Sequence, residues 1–188
     1  MNLVENADLV RQQVETARNK ANRQDQVNVI AVTKYVDVAT TEALVKTGIQ
    51  HIGENRVDKF LEKYQALKDE GLTWHLIGSL QRRKVKEVIN FVDYFHALDS
   101  MKLAQEIQKR ASHPIKCFIQ VNISGEESKH GFAPEELDAV LPELEGLDNL
   151  RIVGLMTMAP FEASQDELQA IFAATHQLQK ELQKKQLK

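Results

Sequence analysis

The apolar positions of this chain switch period repeatedly. Leu3, Ala7, Val10, Val14, Ala17 and Ala21 recur three or four residues apart, the spacing of one helix face. The polar stretch 22–26 ends that pattern. Val27-Asn28-Val29-Ile30-Ala31-Val32-Thr33 follows, rich in β-branched residues and almost continuously apolar, like a strand of a parallel sheet covered on its outer face. From there strand and helix patterns alternate. Asp37 or Thr40 caps a short helix carrying Ala43, Leu44 and Val45, and Gly48 closes it. A second strand covers 51–54. A helix with Val57, Phe60, Leu61, Tyr64 and Leu67 on one side runs toward Gly71. The third strand is 74–78, followed by a helix with Val85, Val88 and Ile89. The fourth is 93–98, and Asp99 or Ser100 caps the helix carrying Leu103, Ala104 and Ile107. The fifth strand is 116–123. Pro134 suits the first turn of a helix with Leu137, Val140, Leu141 and Leu144. The sixth strand is 151–158, and a long helix ends in Lys184 and Lys185, which suit a helix C-terminus.

Six strand-then-helix units in a row predict parallel strands joined by crossovers. An open doubly wound sheet that binds a dinucleotide needs a glycine-rich turn after its first strand. Here that turn is Lys34-Tyr35-Val36-Asp37, without glycine. The expected fold class is therefore α/β, a TIM-type (β/α) barrel, short of the usual eight strands by the last two. No linker, repeat or low-complexity stretch marks a second domain, so 1–188 is expected to be a single, C-terminally incomplete barrel domain.

Composition narrows the function classes. Hydrophobic residues make up 43% and charged residues 27%, enough apolar material for a packed core. A net charge of −3 favours neither nucleic acid nor an acidic membrane as partner. No apolar run is long enough to span a bilayer, and the N-terminus lacks the pattern of a signal peptide. A cytoplasmic location follows as the expectation. The single cysteine, Cys117, lies in an apolar run and reads as a small buried hydrophobe. The six histidines lack the spacing of a helical metal motif, so no metal site is expected.

Candidate chemistry gathers at the strand ends, where parallel α/β folds bind ligands. Lys34 stands where the first strand meets its loop. If it points inward, the two-residue period takes Val32 and Ile30 with it. An amine partly removed from water there is a good nucleophile toward an aldehyde. Spacing alone leaves equal room for a lysine reaching into solvent. Glu54, Asn55, Ser79, Gln81, Asp99, Ser100, Asn122, Ser124 and Met156 also fall at strand ends, with His75 inside the third strand; for each polar one taken singly the helix-cap reading is favoured. The basic run Arg82-Arg83-Lys84 opens a helix and reads as an anion site or a solvated face.

Several stretches then read together: Val29-Ile30-Ala31-Val32-Thr33-Lys34, Gly53-Glu54-Asn55, Trp74-His75-Leu76-Ile77-Gly78-Ser79-Leu80-Gln81, Gln120-Val121-Asn122-Ile123-Ser124, Glu127-Ser128-Lys129-His130-Gly131-Phe132, Pro134-Glu135-Glu136-Leu137 and Gly154-Leu155-Met156-Thr157-Met158. In this order they closely resemble the pyridoxal phosphate homeostasis proteins, the YggS/PROSC-like family, which are related to the barrel domain of alanine racemases. The resemblance implies a barrel holding pyridoxal 5'-phosphate as a Schiff base on Lys34, with Asn55, His75, Asn122 and Met156 lining the cofactor. It implies two further strands, with phosphate-holding loops, beyond the span of this chain. It implies a monomeric carrier that serves intracellular homeostasis of the cofactor, with PLP-dependent apoenzymes as partners and no catalytic residue. Racemase activity is not expected, because two-base racemisation needs a proton donor on each face of the substrate carbanion. The alternatives are a lysine-dependent Schiff-base enzyme (an amino-acid racemase or aldolase) and a protein-binding scaffold with a vestigial site.

Overall fold

A computed structural model describes residues 2–123 and 130–186. The chain divides into two compact units, Met1–Leu76 and Ile77–Lys188.

The first unit opens with α1 (Leu3–Lys20), whose N-terminus is capped by the Asn2 side chain accepting from Glu5 N–H at 3.2 Å. Its inner face differs from the predicted one. Leu3, Ala7, Val14 and Arg18 turn inward, whereas Val10 is 41% exposed. Arg18 meets Glu15 at 2.7 Å. Three parallel strands follow: β1 (Ala31–Val32), β2 (His51–Glu54) and β3 (Thr73–Leu76). β1 is shorter than the apolar run 27–33 suggests. Ala31 pairs with Ile52 and Val32 with Gly53, so residues 27–29 fall before the start of β2 and have no ladder partner there. α2 (Val38–Val45) is capped by Asp37, which accepts from Thr40 N–H at 2.8 Å, and Gly48 closes it with φ of +88°. α3 (Val57–Leu67) lays Phe60 and Tyr64 against Trp74 of β3, with ring centroids 5.5 and 5.3 Å away.

The second unit repeats the pattern with β4 (Tyr94–Leu98), β5 (Ile115–Gln120) and β6 (Leu150–Met156), again parallel. The helix expected before β4 is broken into α4 (Val85–Val88) between two 3-10 turns, Arg82–Lys84 and Ile89–Phe91. Its apolar residues Val85, Val88 and Ile89 are nonetheless completely buried. Ser100, not Asp99, caps α5 (Met101–Arg110), and α6 (Leu137–Glu145) follows Pro134 as expected. Asn149 ties the end of α5 to the start of β6, donating to the carbonyls of Gln108 and Ala111 at 3.0 Å each. α7 (Gln165–Gln186) carries Lys185, which meets Asp138 of α6 at 2.6 Å. Among the described residues no helix is long and apolar enough to cross a membrane.

The strand pleat sorts side chains into two faces in each unit. In β5, Ile115, Cys117 and Ile119 are buried while Lys116, Phe118 and Gln120 are half-buried. In β2 and β3, Ile52 and Trp74 face α3, and His51, Gly53 and His75 face the other way. Phe60 carries no exposed surface and joins α3 to β3. Phe60→Ala is expected to lower unfolding stability by about 3–5 kcal/mol, through lost burial and the cavity left behind. Urea unfolding followed by Trp74 fluorescence measures this.

Candidate cofactor site at the strand ends

Lys34 follows β1 directly, at the first corner of a turn closed by Val36 N–H donating to the Thr33 carbonyl at 3.0 Å. Lys34 is half-buried. Its Nζ sits 5.0 Å from the centre of the Tyr35 ring and makes no ion pair among the described residues. Tyr35 itself is 90% exposed. The neighbouring residue Thr33 behaves oppositely. It is buried, and its hydroxyl donates to Glu54 Oε1 at 2.6 Å.

Glu54 belongs to a buried network that sequence reading left out. Lys63 of α3, only 1% exposed, forms an ion pair with Glu54 Oε1 and donates to the Thr33 carbonyl at 2.6 Å. Its signal in the sequence is positional: Lys63 lies three residues after Phe60 and four before Leu67, inside the apolar stripe of α3.

The remaining predicted residues of the first unit fall where expected. Asn55 is half-buried directly after β2, and His75 is 3% exposed within β3. Register carries Val32 to Gly53 and Gly53 to His75, so these three share the face that the pleat gives to Lys34. His75 also has a partner not foreseen: its Nε2 lies 2.9 Å from His51 Nδ1. One ring donates and the other accepts, which restricts the tautomers of both.

In the second unit, Gln120 of β5 pairs with Met156 of β6, and Val121 N–H donates to the Met156 carbonyl at 2.8 Å. Asn122 and Met156 are both half-buried at these strand ends. Asn122 N–H donates to the Phe132 carbonyl at 3.0 Å, and Phe132 N–H donates to the Gln120 carbonyl at 2.9 Å. Gly131 makes this return possible: its φ is +123°, and a Cβ there would lie 2.9 Å from the Gln120 carbonyl oxygen. Ser124 and the motif residues 127–129 lie outside the described residues. Arg82 and Arg83 are exposed, which fits the solvated-face reading of that run.

Below these ends, one face of β4 and β5 carries Tyr94, His96, Lys116 and Phe118. Lys116 Nζ stands 3.2 Å from Tyr94 Oη and 4.6 Å from its ring centre. The His96 ring is 4.6 Å from that of Phe118, and burial pushes its pKa down to about 4. Cys117, on the opposite face, is fully buried; burial pushes its thiol up to about 12, so it stays protonated and inert as the apolar run suggested.

The sequence model of the alanine racemase N-terminal domain family matches residues 6–188. The chain belongs to this family. It is 36% identical over 188 residues to the pyridoxal phosphate homeostasis protein of Aquifex aeolicus, covering 98% of this chain and 82% of that protein. It is 35% identical over 164 residues to the protein of the same name from Haemophilus influenzae, covering 84% and 69%. PipY of Synechococcus elongatus, solved with pyridoxal phosphate bound, aligns with a TM-score of 0.84 at 32% identity, covering 98% of this chain and 83% of that one. The α/β class read from the strand and helix periods, that of the TIM-type barrel, is the class of this family.

The His96 position carries a pH consequence. In the unfolded chain an imidazole takes up its proton near 6.5, whereas burial holds the folded one near 4. Between these values the unfolded chain binds more protons, so stability falls as pH drops from about 6.5 toward about 4. Unfolding midpoints in urea at pH 7 and pH 5 are expected to differ less in His96→Gln than in the unaltered protein.

Proposed function

We propose that this protein binds pyridoxal 5'-phosphate as a Schiff base on Lys34 and serves intracellular homeostasis of the cofactor without turning over a substrate. The observation that carries the reading is the Lys34 amine: it stands at the end of β1, half out of water, with no carboxylate committed to it among the described residues. Lys63, the other lysine near this strand end, is bound to Glu54 and has no such freedom. Similarity to the homeostasis proteins and to PipY with the cofactor bound supports the same assignment.

The residues present fit the group. Lys34 supplies a primary amine for its aldehyde; as the C=N bond forms, one water leaves. Asn55, His75, Asn122 and Met156 are proposed to line the cofactor. When bound, pyridoxal phosphate supplies an electron sink for carbanions, and using it would require proton donors on both faces of a substrate. The tyrosines argue against such a pair. Tyr64 packs against Phe60 and Trp74, Tyr94 against Phe118 and Lys116, and Tyr35 adjoins Lys34 itself. A carrier role follows, with PLP-dependent apoenzymes as receiving partners, a monomeric state and a cytoplasmic location as parts of the same proposal.

The test is a visible spectrum after addition of pyridoxal phosphate, then borohydride reduction and peptide mass mapping. A new absorption band with the label on Lys34, both lost in Lys34→Ala, is the expected result. No label on Lys34 in the unaltered protein would overturn the assignment. Interconversion of L- and D-alanine that disappears in Lys34→Ala would overturn the non-catalytic part.

A further inference from the structure

We propose that the buried Glu54–Lys63 pair is the positioning device for Lys34, acting through Thr33; this rests on the reading of Lys34 as the cofactor lysine.

The pair is poorly explained as a source of stability. Both side chains are essentially out of water. Removing two charges from water costs several kcal/mol per ion, and well-packed apolar residues commonly serve stability as well or better. Glu54 Oε2 is also buried, with no hydrogen-bond partner among the described residues, a further cost. What the pair does achieve is geometric. Lys63 Nζ and the Thr33 hydroxyl converge on the single oxygen Glu54 Oε1, and Lys63 also donates to the Thr33 carbonyl at 2.6 Å.

That carbonyl is the one that closes the Lys34 turn. It accepts from Val36 N–H at 3.0 Å and from Lys63 at once, and it belongs to the peptide unit leading into Lys34. The Thr33 N–H is used as well, donating to the Gly53 carbonyl at 3.0 Å. Every polar group of Thr33 is thus held, two of them by the buried pair. At the far end of the loop, Asp37 caps α2 and its carbonyl accepts from the Thr41 hydroxyl at 2.8 Å. Lys34 leaves the backbone from a peptide clamped from behind by α3. Its amine must meet an aldehyde whose position is set by other groups, and a small displacement of reacting atoms is costly.

The decisive variant is the double substitution Glu54→Gln with Lys63→Met, which removes both charges together. Lys63→Met alone would leave a buried carboxylate without its cation, and loss of folding would then dominate. The readout is a ratio in folded protein: borohydride-trapped pyridoxal phosphate on Lys34 divided by borohydride-trapped acetaldehyde on the same lysine. Acetaldehyde needs no docking, so the ratio reports placement of the amine rather than its exposure or the folded fraction. The ratio is expected to fall roughly ten- to a hundredfold in the double variant. Thr33→Val, which removes only the hydroxyl bond, is expected to lower the ratio less and in the same direction. A ratio equal to that of the unaltered protein in either folded variant overturns the positioning role and leaves the pair a structural one. No pyridoxal phosphate on Lys34 in the unaltered protein, with acetaldehyde still trapped there, sinks the cofactor reading itself and this inference with it.

Discussion

Glu54 and Lys63 lie out of water between β2 and α3, and a charge in that position has to be matched. Wherever β2 delivers the carboxylate, α3 must deliver the ammonium. This sets the rotation of α3 about its own axis. With Lys63 turned inward, Phe60 and Leu67 lie on the same side of the helix, three and four residues away, and both are buried. Phe60 then meets Trp74, so the charged contact and the aromatic contact demand the same placement of the helix. The strand is constrained equally. Because Glu54 faces α3, Gly53 faces the opposite way, and register brings Val32 and His75 to that opposite face.

Both units divide their labour along the same line. One face of the strands is closed to water and apolar apart from Thr33 and Glu54, as with Ile52 and Trp74 in one unit and Ile115, Cys117 and Ile119 in the other. The other faces carry the polar and aromatic groups: His51 and His75 in one, Tyr94, His96, Lys116 and Phe118 in the other. Small residues make room on these faces. A Cβ on Gly154 would lie 3.3 Å from two Phe118 ring atoms, so the aromatic ring occupies space that a side chain there would need. At the end of β5 main-chain bonds join Phe132 to Gln120 and Asn122, and the Gln120 side chain adds a bond of its own, its Nε2 donating to the His130 carbonyl at 3.2 Å.

The alternation of periods was enough to place all six strands and their parallel sense, because apolar strands and amphipathic helices differ in a way that single side chains report. Gly48 and Asp37 were legible for similar reasons, one needing a positive φ and the other offering a short oxygen to a helix start. The extent of β1 was not legible, since an apolar run cannot reveal where its neighbour begins. The break around α4 was also hidden: Val85, Val88 and Ile89 keep a helical spacing although 3-10 turns flank them. Lys34 stood out by its place after a strand, and His75 through a recognised motif. Lys63 did not, because a lysine within a helix ordinarily reads as solvated. Only the coincidence of its position with the apolar stripe of α3 hinted otherwise. The bond between His51 and His75 depends on the register of two strands separated in sequence, which no local pattern encodes.

Two lysines near one strand end carry the same amine in different surroundings: Lys63 is buried against Glu54, whereas Lys34 makes no ion pair among the described residues. Thr33 points to the α3 side, where it meets Glu54 and Lys63; the two-residue period of an extended strand would carry residue 34 to the opposite side. Were β1 to slip by one residue, residue 34 would face Glu54. Its amine would then meet a buried carboxylate as a competitor of Lys63, and an amine held in that way is not free to attack an aldehyde. β1 has only two ladder residues with which to resist such a slip. Its register therefore cannot rest on the ladder alone. The hydroxyl, carbonyl and N–H of Thr33, each with a partner on β2 or α3 or in the turn itself, supply what so short a strand lacks. On this argument the apolar core of the first unit determines that β1 and β2 meet, and the buried charges fix which side of the chain Thr33 takes.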